Sequence, residues 1–124
     1  LLLCVTNTAK DKFDVFSIRK VIDAMELIRA TPNLDWEKVI ELASEGNFLM
    51  PTRVFFSLLV SLGFPPTQVP DTLLIPLPRW RRKSFGAVVR RFRCLFPGDP
   101  YLLPILWREW TLCAEPTVAF YNLW

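Results

Sequence analysis

The segment from residue 18 to residue 43 constrains the fold most strongly, because its apolar residues recur at the period of an α-helix. The first helix in it has an apolar stripe made of Ile18, Val21, Ile22, Met25 and Ile28. Pro32 ends this helix, since the residue before a proline is pushed out of the α region. The second helix begins at Asn33 or Asp35, both good N-cap residues, and has an apolar stripe made of Trp36, Val39, Ile40 and Ala43. We therefore expect two helices that pack on each other, with Trp36 largely buried.

Three further segments have helical features. Gly46 should end the second helix, and Pro51 should begin an apolar helix that extends to Leu62 and is the most buried of the set. A later helix carries the stripe Phe85, Val88, Val89, Phe92 and Phe96. The apolar stretch from Val118 to Trp124 should dock onto the body of the protein.

The predicted fold class is all-α, a bundle of about five helices, because no convincing pair of strands is present. Residues 1–66 form the core of the bundle. Residues 67–78 form a proline-rich connector that packs on it. Residues 79–124 contribute a basic amphipathic helix and a C-terminal helix that complete the same domain. A chain of 124 residues is long enough to bury one such core.

Composition excludes several classes of site. The chain has no histidine, which removes Ser-His and Cys-His catalytic pairs. Its three cysteines lack CxxC spacing, so we expect reduced thiols and no metal site. Neither GxxxxGK[ST] nor GxGxxG occurs, and no catalytic residue is predicted. The longest nearly uninterrupted apolar run, Val54 to Phe64, is much shorter than the roughly 20 residues of a membrane-spanning helix, so we expect a cytoplasmic protein without a membrane span.

Basic residues are concentrated in the later helix, and no acidic residue occurs between Asp71 and Asp99. The cations are Arg79, Arg81, Arg82, Lys83, Arg90, Arg91 and Arg93. This clustering predicts a surface that contacts a polyanion or a protein partner. An alternative is that Arg81, Arg82 and Lys83 lie against acids of the central helices or of a domain outside this chain. Because the aromatic residues are expected to be committed to the core, nucleic-acid binding through this surface should be weak and nonspecific.

Several motifs, taken in order, resemble the C-terminal helical part of a family of uncharacterised nucleotidyltransferases in the polymerase-β-like superfamily. These motifs are the apolar LLLCV segment leading to Lys10-Asp11-Lys12-Phe13, then Ile22-Asp23-Ala24, then Asp35-Trp36-Glu37-Lys38-Val39, and finally Leu62-Gly63-Phe64-Pro65. The resemblance covers approximately Leu1 to Pro66.

This resemblance implies that the chain is the helical accessory portion of a larger α/β+α protein. An N-terminal catalytic domain outside this chain would transfer a nucleotidyl group from a nucleoside triphosphate to an acceptor. Mg²⁺ and the triphosphate are expected only with that domain, because this sequence has neither the Gly-Ser turn nor the Asp-x-Asp pair of the family. Lys10 would be the one nucleotide-binding residue contributed here. A polyanion-binding module using Arg79 to Arg93, or a protein-interaction scaffold, remains the alternative.

The missing motifs predict that the isolated chain transfers no nucleotide. Incubation with labelled nucleoside triphosphates, Mg²⁺ and candidate acceptors measures this directly. We expect no labelled product, since the sequence has neither the Asp-x-Asp pair nor the Gly-Ser turn. Robust transfer by the isolated chain would contradict this interpretation.

Overall fold

Helices and turns, but no strands, make up the part of the chain that the computed structural model describes, residues 1–94 and 102–113. The α-helices are α1 (Leu2–Lys10), α2 (Ile18–Ala30), α3 (Trp36–Glu45), α4 (Leu49–Ser61), α5 (Arg79–Cys94) and α6 (Leu102–Arg108). Helix α6 continues as a π-helix, Glu109–Cys113. The all-α prediction is confirmed. The predictions made for Phe96 and for Val118 to Trp124 lie outside the described residues.

Helix α4 is the element on which the others pack, because it is apolar almost all round. Its buried residues are Pro51, Thr52, Val54, Phe55, Phe56, Leu58 and Leu59. It contacts α1, α3, α5 and the π-helix. The expected burial of this helix is confirmed. We expected α2 and α3 to pack mainly on each other. The structure differs, because α3 packs chiefly on α4.

Helix α2 buries a narrower stripe than its sequence predicts. Val21, Ala24 and Ile28 face the core, whereas Ile22 is 51% exposed. Each residue turns about 100° from the one before it, so Val21 and Ile22 cannot both point to the centre of the same contact. The small Ala24 takes the buried position and lets α2 approach its neighbours closely.

Three helices end in the same way, with a left-handed residue followed by a phenylalanine. The left-handed residues are Lys12 after α1, Asn47 after α3 and Gly63 after α4. In each case the amide of the phenylalanine donates to a carbonyl five residues earlier, as in a Schellman motif. These bonds are Phe13 to Thr8 at 3.0 Å, Phe48 to Ala43 at 2.9 Å and Phe64 to Leu59 at 3.0 Å. These helix ends place Phe13 and Phe64 in the core. Phe13 is 1% exposed and Phe64 is 2% exposed.

The end of α3 corrects the role predicted for Gly46. Asn47, not Gly46, adopts the left-handed conformation, with φ of 56°. Gly46 instead leaves room for an aromatic ring, because a Cβ at this position would lie 2.3 Å from Cε1 of Phe48. Glycine is therefore required here by close packing rather than by backbone conformation.

The connector lies against the bundle, as its apolar residues predict. It contains two short 3-10 turns, Pro66–Gln68 and Asp71–Leu73. Val69, Leu73 and Leu77 are buried in the same core as residues from α1, α2, α4 and α5. The connector thus leads the chain across the bundle to the start of α5.

Two glycine-to-alanine substitutions should have opposite effects on stability. Gly63 has φ of 104°, so Gly63→Ala should lower the free energy of unfolding by about 1–2 kcal/mol. Gly86 lies inside α5, and a new Cβ there would come no closer than 3.9 Å to a neighbouring side chain, at Arg90 Nη1. Gly86→Ala should therefore raise that free energy by about 0.5–1 kcal/mol. Urea unfolding of both variants measures the difference, and effects of the same sign would contradict this account of the helix ends.

Candidate functional site

The outward face of α5 carries a row of exposed cations. They recur at steps of three, four and seven residues, which aligns them along one side of the helix. We call these five residues the basic stripe: Arg79, Arg82, Lys83, Arg90 and Arg93. At a rise of 1.5 Å per residue, the stripe is about 21 Å long. The opposite face of α5 buries Ser84, Val88 and Phe92 and so fixes which way the stripe faces.

The basic stripe is not neutralised by the rest of the described structure. Within residues 1–94 and 102–113, no carboxylate forms a salt bridge with any of its five members. Arg93 donates a hydrogen bond of 2.7 Å to the carbonyl oxygen of Ser61, which leaves its positive charge uncompensated. The stripe therefore concentrates positive potential on one face.

Local helix energetics do not favour the cations at the N-terminal end of the stripe. Arg79 and Arg82 lie in the first turn of α5, where the helix dipole favours acidic residues, and that turn contains none. Arg79 also repels Lys83 one turn later, as like charges at this spacing do, by a few tenths of a kcal/mol. Arg93, by contrast, lies in the last turn, where the dipole favours a cation, so the cost falls on the N-terminal cations, which a role in binding explains better than a role in folding.

Two of the seven predicted cations are positioned differently from the rest. Arg81 is only 1% exposed, and its Nη1 donates a hydrogen bond of 3.0 Å to the carbonyl oxygen of Thr111. The prediction that Arg81 is a surface contact is therefore wrong, because position 81 falls on the core face of α5. Arg91 is partly buried at the side of the helix. Lys10, the predicted nucleotide-binding residue, is exposed in the last turn of α1.

Three tryptophans form an exposed aromatic group next to the start of the basic stripe. We call Trp80, Trp107 and Trp110 the tryptophan cluster; they are 47%, 54% and 37% exposed. The ring centroids of Trp80 and Trp110 are 5.7 Å apart, and those of Trp107 and Trp110 are 5.6 Å apart. The expectation that the aromatic residues are committed to the core is therefore wrong for these three. Two features of the sequence could have indicated this exposed cluster. Trp80 lies between two arginines, and Trp107 and Trp110 have i, i+3 spacing.

Contacts from distant parts of the chain hold the α6 and π-helical segment in place. Arg108 pairs with Asp14 at 3.4 Å, and Lys12 pairs with Glu109 at 2.7 Å. Leu112 is fully buried. Together with the bond from Arg81, these contacts turn Trp107 and Trp110 outward and fix them beside α5.

A groove of about 600 Å³ lies elsewhere, between the α2–α3 connection and the connector. Trp36 lines it and, in keeping with the prediction, most of its side chain is covered: it packs against the core, and its ring lies edge-on to that of Phe56 with the centroids 5.5 Å apart. Arg29 is the one charged residue of the lining, and it pairs with Glu26 at 2.8 Å. This groove therefore holds no pair of groups suited to acid–base chemistry.

The described residues include a largely buried thiol and no cluster of metal ligands. Burial raises the pKa of Cys113 to about 12, so this thiol stays protonated at neutral pH and is a poor nucleophile. Among the side chains that the structure describes, no three histidine, cysteine or acidic groups gather as a metal site would require. None of the described helices is long and apolar enough to cross a membrane.

Comparisons of the chain with protein-family models, with curated proteins and with solved structures find no match. The resemblance to nucleotidyltransferases therefore stays a prediction. The basic stripe and the tryptophan cluster are the features from which a function can be argued.

Arg81 and Arg82 offer a matched test of how the site is built. Arg81→Ala removes a buried hydrogen bond donated by a charged group, so it should lower the free energy of unfolding by about 2 kcal/mol. Arg82→Ala changes an exposed residue and should alter it by no more than about 0.5 kcal/mol. Urea denaturation gives both values. Equal effects would mean that Arg81 does not join α5 to the last described segment.

Proposed function

We propose that this protein binds nucleic acid through the basic stripe of α5, with the five cations contacting successive phosphates. The observation that carries the proposal is the row of exposed cations, about 21 Å long, without a carboxylate partner among the described residues. Lysine and arginine side chains supply most of the affinity of such interfaces by displacing counterions from the phosphates.

The chemistry of α5 favours a phosphate chain over a lipid surface. A helix that lies in a membrane interface buries an apolar face in the lipid. In α5 the large apolar residues Val88 and Phe92 face the protein core, and the uncharged residues near the middle of the stripe are the small Gly86 and Ala87. The stripe therefore offers charge along its length, and the large exposed apolar side chain of α5, Trp80, lies only at its start.

The proposal includes a cytoplasmic location, where nucleic acid is available and thiols are reduced. All three cysteines are free, which fits such a compartment. The nucleotidyltransferase resemblance remains a separate proposal about a catalytic domain outside this chain. It rests on the sequence motifs of residues 1–66, whereas binding by the stripe can be tested with this chain alone.

Replacing Arg82 and Lys83 by glutamine should weaken binding without weakening the fold. Each lost phosphate contact to a single strand lowers the slope of log K against log salt by about 0.7, so the slope should fall by about 1.4. The free energy of unfolding should stay the same or rise slightly, because Arg82 opposes the helix dipole in the first turn and Lys83 repels Arg79. Fluorescence anisotropy with a labelled oligonucleotide at several salt concentrations measures the slope.

The matched control is Arg19→Gln with Lys38→Gln. It also reduces the net charge from +3 to +1, but it removes exposed cations from α2 and α3. We expect the control to leave the salt slope nearly unchanged. Equal losses in the two double variants would mean that overall charge, rather than the stripe, governs binding, and would contradict the proposal.

A further inference from the structure

We infer that the tryptophan cluster stacks on unpaired bases of a single strand whose phosphates follow the basic stripe. The inference rests on the proposed function and names its substrate class, single-stranded nucleic acid. Aromatic side chains beside a cationic track are the combination that single-strand binders use.

The two surfaces are continuous. Trp80 directly follows Arg79, and it lies one helical turn from Lys83, so its ring borders the start of the stripe. Trp110 lies against Trp80, and Trp107 extends the cluster to α6. A strand bound along α5 would therefore meet indole rings at the N-terminal end of the stripe.

Trp80 is held in place from its inner side, which favours stacking. The guanidinium carbon of Arg81 lies 4.4 Å from the centroid of the Trp80 ring. Because Arg81 is buried, it covers the inner side of that ring and leaves the exposed half facing solvent. Rings that are already ordered lose little conformational freedom when a base stacks on them.

Base stacking distinguishes a single strand from a duplex. Bases inside a duplex already stack on one another, so their faces are not available to protein side chains. The stripe alone would accept any phosphate backbone, whereas the tryptophan cluster adds affinity only for bases that can turn outward. This difference separates the inference from the proposed function.

Binding to three probes tests the inference: a thymidine oligonucleotide, an abasic strand of the same length, and the corresponding duplex. Trp107→Leu should weaken binding to the thymidine strand by roughly 5- to 150-fold, the usual range for one stacked base. It should leave binding to the abasic strand unchanged. Trp107→Phe should retain most of the wild-type affinity for the thymidine strand. The control Trp36→Leu, in the groove away from α5, should leave the affinity for all three probes unchanged.

The remaining outcomes distinguish failure of the inference from failure of the proposed function. Suppose that the wild-type protein binds the thymidine and abasic strands equally, and that Arg82→Gln with Lys83→Gln weakens both. Binding by the basic stripe is then supported, and the inference is overturned. If no probe binds, both are overturned. If phosphatidylserine vesicles shift the tryptophan emission to the blue and Trp107→Leu abolishes that shift without affecting the thymidine strand, the cluster meets a membrane and the inference is overturned.

Discussion

The buried guanidinium of Arg81 is the interaction on which the candidate site depends. A buried charge is costly unless it is hydrogen-bonded, and this one donates to the carbonyl oxygen of Thr111 while lying against the Trp80 ring. It thereby joins α5 to the segment that carries Trp107 and Trp110. Trp80 belongs to α5 itself, and this connection helps to place Trp107 and Trp110 beside it. The basic stripe and the tryptophan cluster thus form one surface, positively charged along α5 and aromatic at one end.

That surface is supported by the way the helices end. Lys12 and Phe13 both have left-handed backbone conformations, at a cost of about 1–2 kcal/mol each for a non-glycine residue. Complete burial of a phenylalanine contributes about 1.5–3 kcal/mol, which offsets much of this cost at Phe13. The same turn brings Lys12 to Glu109 and Asp14 to Arg108. The end of α1 therefore stabilises the core and also orients the last described segment.

Helical periodicity predicted the buried residues of α3, α4 and α5 well, because local spacing decides which side chains share a face. The same spacing explains why Arg81 is buried, because it lies one turn before Phe85 and two before Val88. The basic character of the segment obscured its place on the core face. The orientation of Trp107 and Trp110 could not be predicted in this way. Either face of that segment could have been buried, and the choice depends on Lys12 and Asp14, which are almost a hundred residues away in the sequence. The prediction that Ile22 faces the core failed for a similar reason, because contact with neighbouring helices buries Ala24 instead.

The most direct test of the central claim is to follow the indole N–H signals of the tryptophans by NMR while a single-stranded oligonucleotide is added. If the stripe and the cluster form one binding surface, the signals of Trp80, Trp107 and Trp110 should shift together and saturate at the same concentration, while that of Trp36 stays in place. Saturable binding that leaves the cluster signals unchanged, or that shifts Trp36 instead, would contradict the account.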